Sequence, residues 1–150
     1  MRRLILGVAA ACAIVALTAS GAPAKNGNGV MCVLNANLAA PTGSTSTAKG
    51  HTQIKVRANG TIEFKTQILN KNGETFVAGH IHLAPVGVAG PVVVPLFASP
   101  GTTARHIRQS GVATPNAGTT GAALCTNPSA YYVNYHTTAF LGGAIRGQLS

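Results

Sequence analysis

The chain contains no aspartate and no tryptophan, and Glu63 and Glu74 are the only acids among its 150 residues. Without aspartate a Ser-His-Asp triad has no third member, and no Gly-x-Ser-x-Gly elbow presents a serine nucleophile. Gly-rich phosphate loops and helix-borne metal motifs are missing as well. No stretch of ten or more residues keeps a helical apolar period with helix formers, which argues against a helical domain. Charge is sparse too: 9% of residues are charged, so the net +9 comes mostly from the lack of acids. The basic residues are scattered singly from Lys25 to Arg146, with no block or helix face collecting them. That distribution excludes specific nucleic-acid recognition and leaves a weak preference for anionic partners, such as an anionic glycan or surface, or an unidentified protein.

What is present begins with "MRRLILGVAAACAIVALTASGAPA": Arg2 and Arg3, an apolar run from Leu4 to Leu17, then small residues to Ala24. The run is short of the ~20 residues that cross a bilayer, and an Ala-x-Ala site follows it. Residues 1–24 therefore read as a secretory signal peptide and residues 25–150 as the mature domain, secreted or periplasmic, with no transmembrane segment after cleavage. Cleavage removes Cys12 and leaves Cys32 and Cys125, with a charge of about +7. In an oxidising compartment the two cysteines are expected to pair.

Along the mature chain, alternation and β-branched residues recur. "VMCVLNANL" (30–38) sets Val30, Cys32, Leu34 and Leu38 on one face. "TQIKVRA" and "TIEFKTQIL" alternate around Asn59-Gly60, a strong hairpin signal that, with Thr61, is also a glycosylation sequon. "ETFVAGHIHLA" places Val77, Ile81 and Leu83 opposite Ala78, His80 and His82. "VVVPLF" reads as a strand that bulges or lies at an edge because of Pro95. Residues 98–123 carry no pattern and are expected to be loop. "YYVNYHTTAF" and "GAIRGQL" close the chain as two strands. One all-β domain accounts for the whole.

These segments resemble the CHRD domain, the module first described in chordin and also found alone in secreted bacterial proteins. The likeness rests on Gly79-His80-Ile81-His82, on Gly90-Pro91 before a valine run, on Tyr132-Val133-Asn134 with His136, and on the closing "GAIRGQL". It implies an immunoglobulin-like or superoxide-dismutase-like Greek-key β-sandwich, here expected to hold about seven to nine strands. It implies little about activity, and Cys32 and Cys125 are not part of it.

The dismutase architecture also sets a His-x-His pair on a strand. Alternate residues on a strand project the same way ~7 Å apart at Cα, within reach of one ion. His80 and His82 would be the pair and His136 the third ligand to copper or zinc, with His51 or His106 able to complete a set. The aspartate of a dismutase zinc subsite is absent, and orienting carboxylates are scarce. The competing expectation is that the histidines hydrogen-bond to backbone, Tyr132 or Asn134 and brace the sheet. Tyr131, Tyr132 and Tyr135 with Arg146 could form a binding face, with Tyr132, Asn134 and Arg146 its foremost candidates, although in a domain this poor in aromatics the tyrosines more often serve core and sheet-edge packing; Arg146 could pair with a loop carbonyl or with Glu63. The sequence thus favours a non-catalytic binding or structural module, with no cofactor required. The alternative is a copper or zinc protein using His80, His82 and His136, with dismutase-like redox activity a remote extension. Three imidazoles converging within ~5 Å of one point would separate the two readings.

Overall fold

Period-two alternation carries eight strands through the described residues. The computed structural model describes residues 28–150; residues 1–24, expected above to be a signal peptide, and Cys12 among them, lie outside the described residues. In chain order the elements are β1 (Val30–Leu38), β2 (Lys49–Arg57), β3 (Ile62–Leu69), β4 (Phe76–Leu83), β5 (Val92–Thr102), β6 (His106–Ala113), the short helix α1 (Gly121–Thr126), β7 (Tyr131–Thr137) and β8 (Ile145–Gln148). They form two four-stranded antiparallel sheets, ordered β1-β2-β3-β6 and β5-β4-β7-β8. The β4–β5 hairpin crosses to the second sheet and β6 returns beside β3, a Greek-key connection. No helix among the described residues is long and apolar enough to cross a membrane.

The inward faces build one core between the sheets. Ile54, Val56, Ile62 and Ile68 meet Phe76, Ile81, Val94, Val133 and Ile145, all essentially without solvent contact. A polar seam runs through it: the Tyr135 hydroxyl donates to Thr66 Oγ1 at 2.8 Å, and Thr66 Oγ1 lies 2.8 Å from Thr52 Oγ1. Burial pushes the Tyr135 phenol up to about 12. Edge strands β1 and β8 exchange backbone hydrogen bonds through Asn35 with Ser150 and Ala39 with Arg146, closing one side of the sandwich. Cys32 and Cys125 are joined, 93 residues apart, with Cα atoms 5.9 Å from each other, which ties β1 to α1. Thr120 caps α1 by accepting from Ala123 N at 3.1 Å, and Leu124 plugs the core.

Several sequence expectations need correction. Residues 98–123 are not all loop: they hold the end of β5, all of β6 and the first turn of α1, joined by short connections. Inward positions of β6 are Ile107, Gln109, Gly111 and Ala113, opposite Ile68, Thr66, Phe64 and Ile62, so only one large apolar residue marks the strand. Gly111 leaves room for the Phe64 ring. β5 is an edge strand, and its pairing with β4 shifts around Pro95, as the proline requires. The basic residues, scattered in sequence, are gathered in space. Lys49, Lys55 and Arg57 on β2, Lys65 on β3 and Arg108 on β6 all sit at outward positions of the first sheet.

Candidate metal centre

Three central side chains of the second sheet face away from the core yet are buried. β7 is covered on both faces along all seven residues. Its inward side carries Val133 and Tyr135, and its outward side carries Tyr132, Asn134 and His136. Cross-strand register places His80 opposite Asn134, Asn134 opposite Arg146, His82 opposite Tyr132 and Ala78 opposite His136. The outer face would be wet, but the β4–β5 and β7–β8 loops fold over it.

Backbone carbonyls of those loops set the imidazole tautomers. His82 Nδ1 donates to the Gly90 carbonyl at 2.9 Å, and His136 Nδ1 donates to the Leu141 carbonyl at 2.9 Å. Each ring therefore keeps a lone pair on Nε2. His80 Nδ1 lies 3.2 Å from His136 Nε2 and donates to it. His82 Nε2 is buried with no hydrogen-bond partner. One nitrogen from each of His80, His82 and His136 lies within 4.8 Å of the others. Two nitrogens bound at ~2.05 Å and subtending a tetrahedral angle stand ~3.3 Å apart, close to the His80–His136 separation. Carbonyl-anchored Nδ1–H groups are also the usual support for a metal-binding imidazole.

Two of the rings are held toward the neutral form. Burial, followed by the neighbouring His136 and His82, lowers the His80 pKa to about 4. Burial also lowers that of His136, partly offset by its bond to Leu141 and reinforced by His82. Neutral imidazoles are the form that ligates an ion. No carboxylate joins the cluster: Glu63 pairs with Arg57 at 2.8 Å and Glu74 accepts from Ser46 and Thr47.

The remaining candidates divide. Tyr132 stacks on His82 with ring centroids 4.9 Å apart and planes 14° from parallel, and its hydroxyl accepts from Gly90 N at 3.2 Å. The Gly90 peptide is thus clamped from both sides, and a Cβ there would strike the Leu83 carbonyl. Arg146 stands over the Tyr132 ring, Cζ 5.3 Å from its centroid. It does not pair with Glu63, which lies on the other sheet. Asn134 Nδ2 donates to the Gly142 carbonyl at 3.1 Å, while its buried Oδ1 has no partner. Gly143, at φ +126, passes so close to the Asn134 amide that a side chain would collide. Two clefts of about 310 and 460 Å³ meet at Pro41, Thr42, Gly87 and Arg146, beside the loops that anchor the histidines.

His51 and His106 do not complete the set. They lie on β2 and β6 of the other sheet, where His51 Nδ1 bonds Asn37 Oδ1 at 3.1 Å, because their strands pair away from β4 and β7. Neither Tyr132 nor Asn134 hydrogen-bonds a histidine; the backbone does so instead. Tyr131 and Tyr135 are core residues. Sequence reasoning missed the Gly90 and Leu141 carbonyls, since backbone groups have no residue signature, although the Gly90-Pro91 and Gly142-Gly143 turns mark where they lie.

The family model described as the CHRD domain matches residues 31–149 of the chain. No curated protein matches it, and no solved structure does.

Proposed function

The chain belongs to the CHRD domain family, and from that premise we propose that it is an exported domain that binds one transition-metal ion through His80, His82 and His136. The observation carrying this reading is the convergence of three imidazoles, two of them carbonyl-anchored, on a point where His82 Nε2 is buried without a partner. A sheet merely braced by histidines would satisfy that nitrogen, since an orphaned buried acceptor costs ~1–3 kcal/mol. An all-imidazole set without carboxylate suits copper or zinc and is a poor host for magnesium or calcium. His80 would free a lone pair on Nδ1 for the ion by moving its proton to Nε2.

Three imidazole ligands would leave room for a further ligand on the ion, such as water. The reading stops at binding, because no carboxylate is placed to move a proton there. Export is supported by the signal-like residues 1–24 and by the Cys32–Cys125 bond, which suits an oxidising compartment.

Titration calorimetry of residues 25–150 with zinc, and with copper, tests the proposal. One-to-one binding that disappears in both His82→Ala and His136→Ala supports it. Absence of binding to the wild type, or binding that survives both substitutions, sinks it.

A further inference from the structure

The outer face of the first sheet is the most basic surface among the described residues, and nothing in the metal reading uses it. We propose that this face binds a linear glycan bearing carboxylate or sulfate groups. The cations lie in a pattern set by register. Lys55 on β2 faces Glu63 on β3, Lys65 on β3 faces Gln53 and Ser110, and Arg108 on β6 faces Gln67. Lys55, Lys65 and Arg108 therefore step diagonally across three strands, each ~7–8 Å from the last. Lys49 and His51 flank the diagonal on β2, and His106 flanks it on β6.

Charge on the stripe is only partly offset from within, by Glu63 opposite Lys55. Among the described residues the one carboxylate–cation pair is Arg57 with Glu63, through Nε at 2.8 Å and Nη2 at 3.1 Å. That contact holds the Glu63 carboxyl below its usual range, so the face's one acid stays charged and is occupied by a cation that is not on the diagonal. Lys49, Lys55, Lys65 and Arg108 form no carboxylate pair and so remain open to an external anion.

Relief and chemistry favour a glycan over other polyanions. Three shallow depressions of about 240, 180 and 340 Å³ follow one another across β2, β3 and β6, sharing Lys65, Ser110, Gln67 and Arg108 between neighbours. Between the cations stand amides and a hydroxyl, Gln53, Gln67 and Ser110, which can both donate to and accept from sugar hydroxyls. Exposed Val33 and Val112 stand at the two ends of the row that holds Lys55, too far apart to form the continuous apolar band that a lipid surface would call for, and the vesicle arm of the test below checks this. A duplex would call for an element that projects into a groove, which a flat sheet face lacks.

The test uses residues 25–150 and measures affinity by biolayer interferometry for heparin and polygalacturonate, with duplex DNA and phosphatidylserine vesicles alongside. Lys65→Gln/Arg108→Gln removes two cations from the stripe, and Lys71→Gln/Arg105→Gln removes two from exposed turns at equal cost in net charge. All four positions are exposed, and thermal melts confirm that both variants fold. The expected result is at least a tenfold loss of glycan affinity in the stripe variant and no more than a twofold loss in the turn variant. Equal losses in the two variants overturn the proposal, since net charge alone would then explain binding. So would binding to DNA or vesicles as tight as to either glycan.

Discussion

If one ion sits on His80, His82 and His136, the melting temperature must depend on free metal in a way that needs no knowledge of the affinity. Above the dissociation constant, each tenfold rise in free metal adds ~1.4 kcal/mol to the stability of the folded state. Unfolding entropy of ~2.1 cal/mol/K per residue gives this domain of roughly 120 residues ~0.26 kcal/mol/K. The wild type should therefore gain ~5 °C per decade of buffered free zinc. His82→Ala removes a ligand, and in the metal-free protein it also removes the Nδ1 bond to Gly90 and the stack on Tyr132. Those losses, partly offset by deleting the orphaned Nε2, should lower the metal-free midpoint by ~1–2 kcal/mol, or ~4–8 °C. Its dependence on zinc should be flat. Differential scanning calorimetry across four decades of buffered zinc reads both quantities. A flat wild type, or a His82→Ala variant that climbs at the wild-type slope, refutes the argument, whereas His51→Ala should keep the full slope because His51 lies on the other sheet.

Acid should weaken the metal-free protein within a defined window. The folded His80 titrates at about 4, below its ordinary 6.5, so between those values the unfolded chain binds a proton that the native state refuses. The contribution is fully present above pH 6.5 and falls as the pH approaches 4; the full shift would be worth ~3.4 kcal/mol, and screening at a half-exposed ring reduces it to ~1 kcal/mol. Urea midpoints at pH 7 and pH 4 check this, with His80→Asn losing less than the wild type. Cys32→Ser/Cys125→Ser, which opens a link between residues 93 apart in sequence, should cost ~2–5 kcal/mol in denaturant unfolding, and reduction of the wild type should match it. Tyr135→Phe cuts the hydroxyl chain to Thr66 and should cost ~1–2 kcal/mol, with Thr66→Val adding less than its separate effect because the two share one bond.

How much of this was legible from sequence depended on whether a residue's role lay in its own side chain or in its neighbours. Alternation in "TQIKVRA" and "TIEFKTQIL" placed β2 and β3 because isoleucine, valine and phenylalanine occupy the inward positions themselves. The same alternation governs "HIRQSGVA", but there the inward positions opposite Thr66 and Phe64 are filled by Gln109 and Gly111, which satisfy a partner strand while lacking the apolar mark. The histidines divided in the same way. Spacing alone put His80 and His82 on one face, and the "YVNYH" segment offered His136, whose outward position on the adjacent strand brings it to them. Spacing could not show that the face is roofed, because the roof is made by loops whose contribution is two backbone carbonyls, Gly90 and Leu141. Yet those carbonyls decide the chemistry, since they choose which nitrogen of His82 and His136 keeps its lone pair.

The basic stripe failed to register for a related reason. Lys55, Lys65 and Arg108 are singletons in sequence, ten or more residues apart, and only the antiparallel register turns them into neighbours. In a helix such residues would have announced themselves by a period of 3.6, but a sheet face is assembled from several segments, so its charge pattern is a property of pairing. A search for blocks of basic residues therefore underestimates β-sandwiches systematically, and here it passed over the first sheet's outer face while the polar outer face of the second sheet, carried by two segments with a histidine each, stood in view.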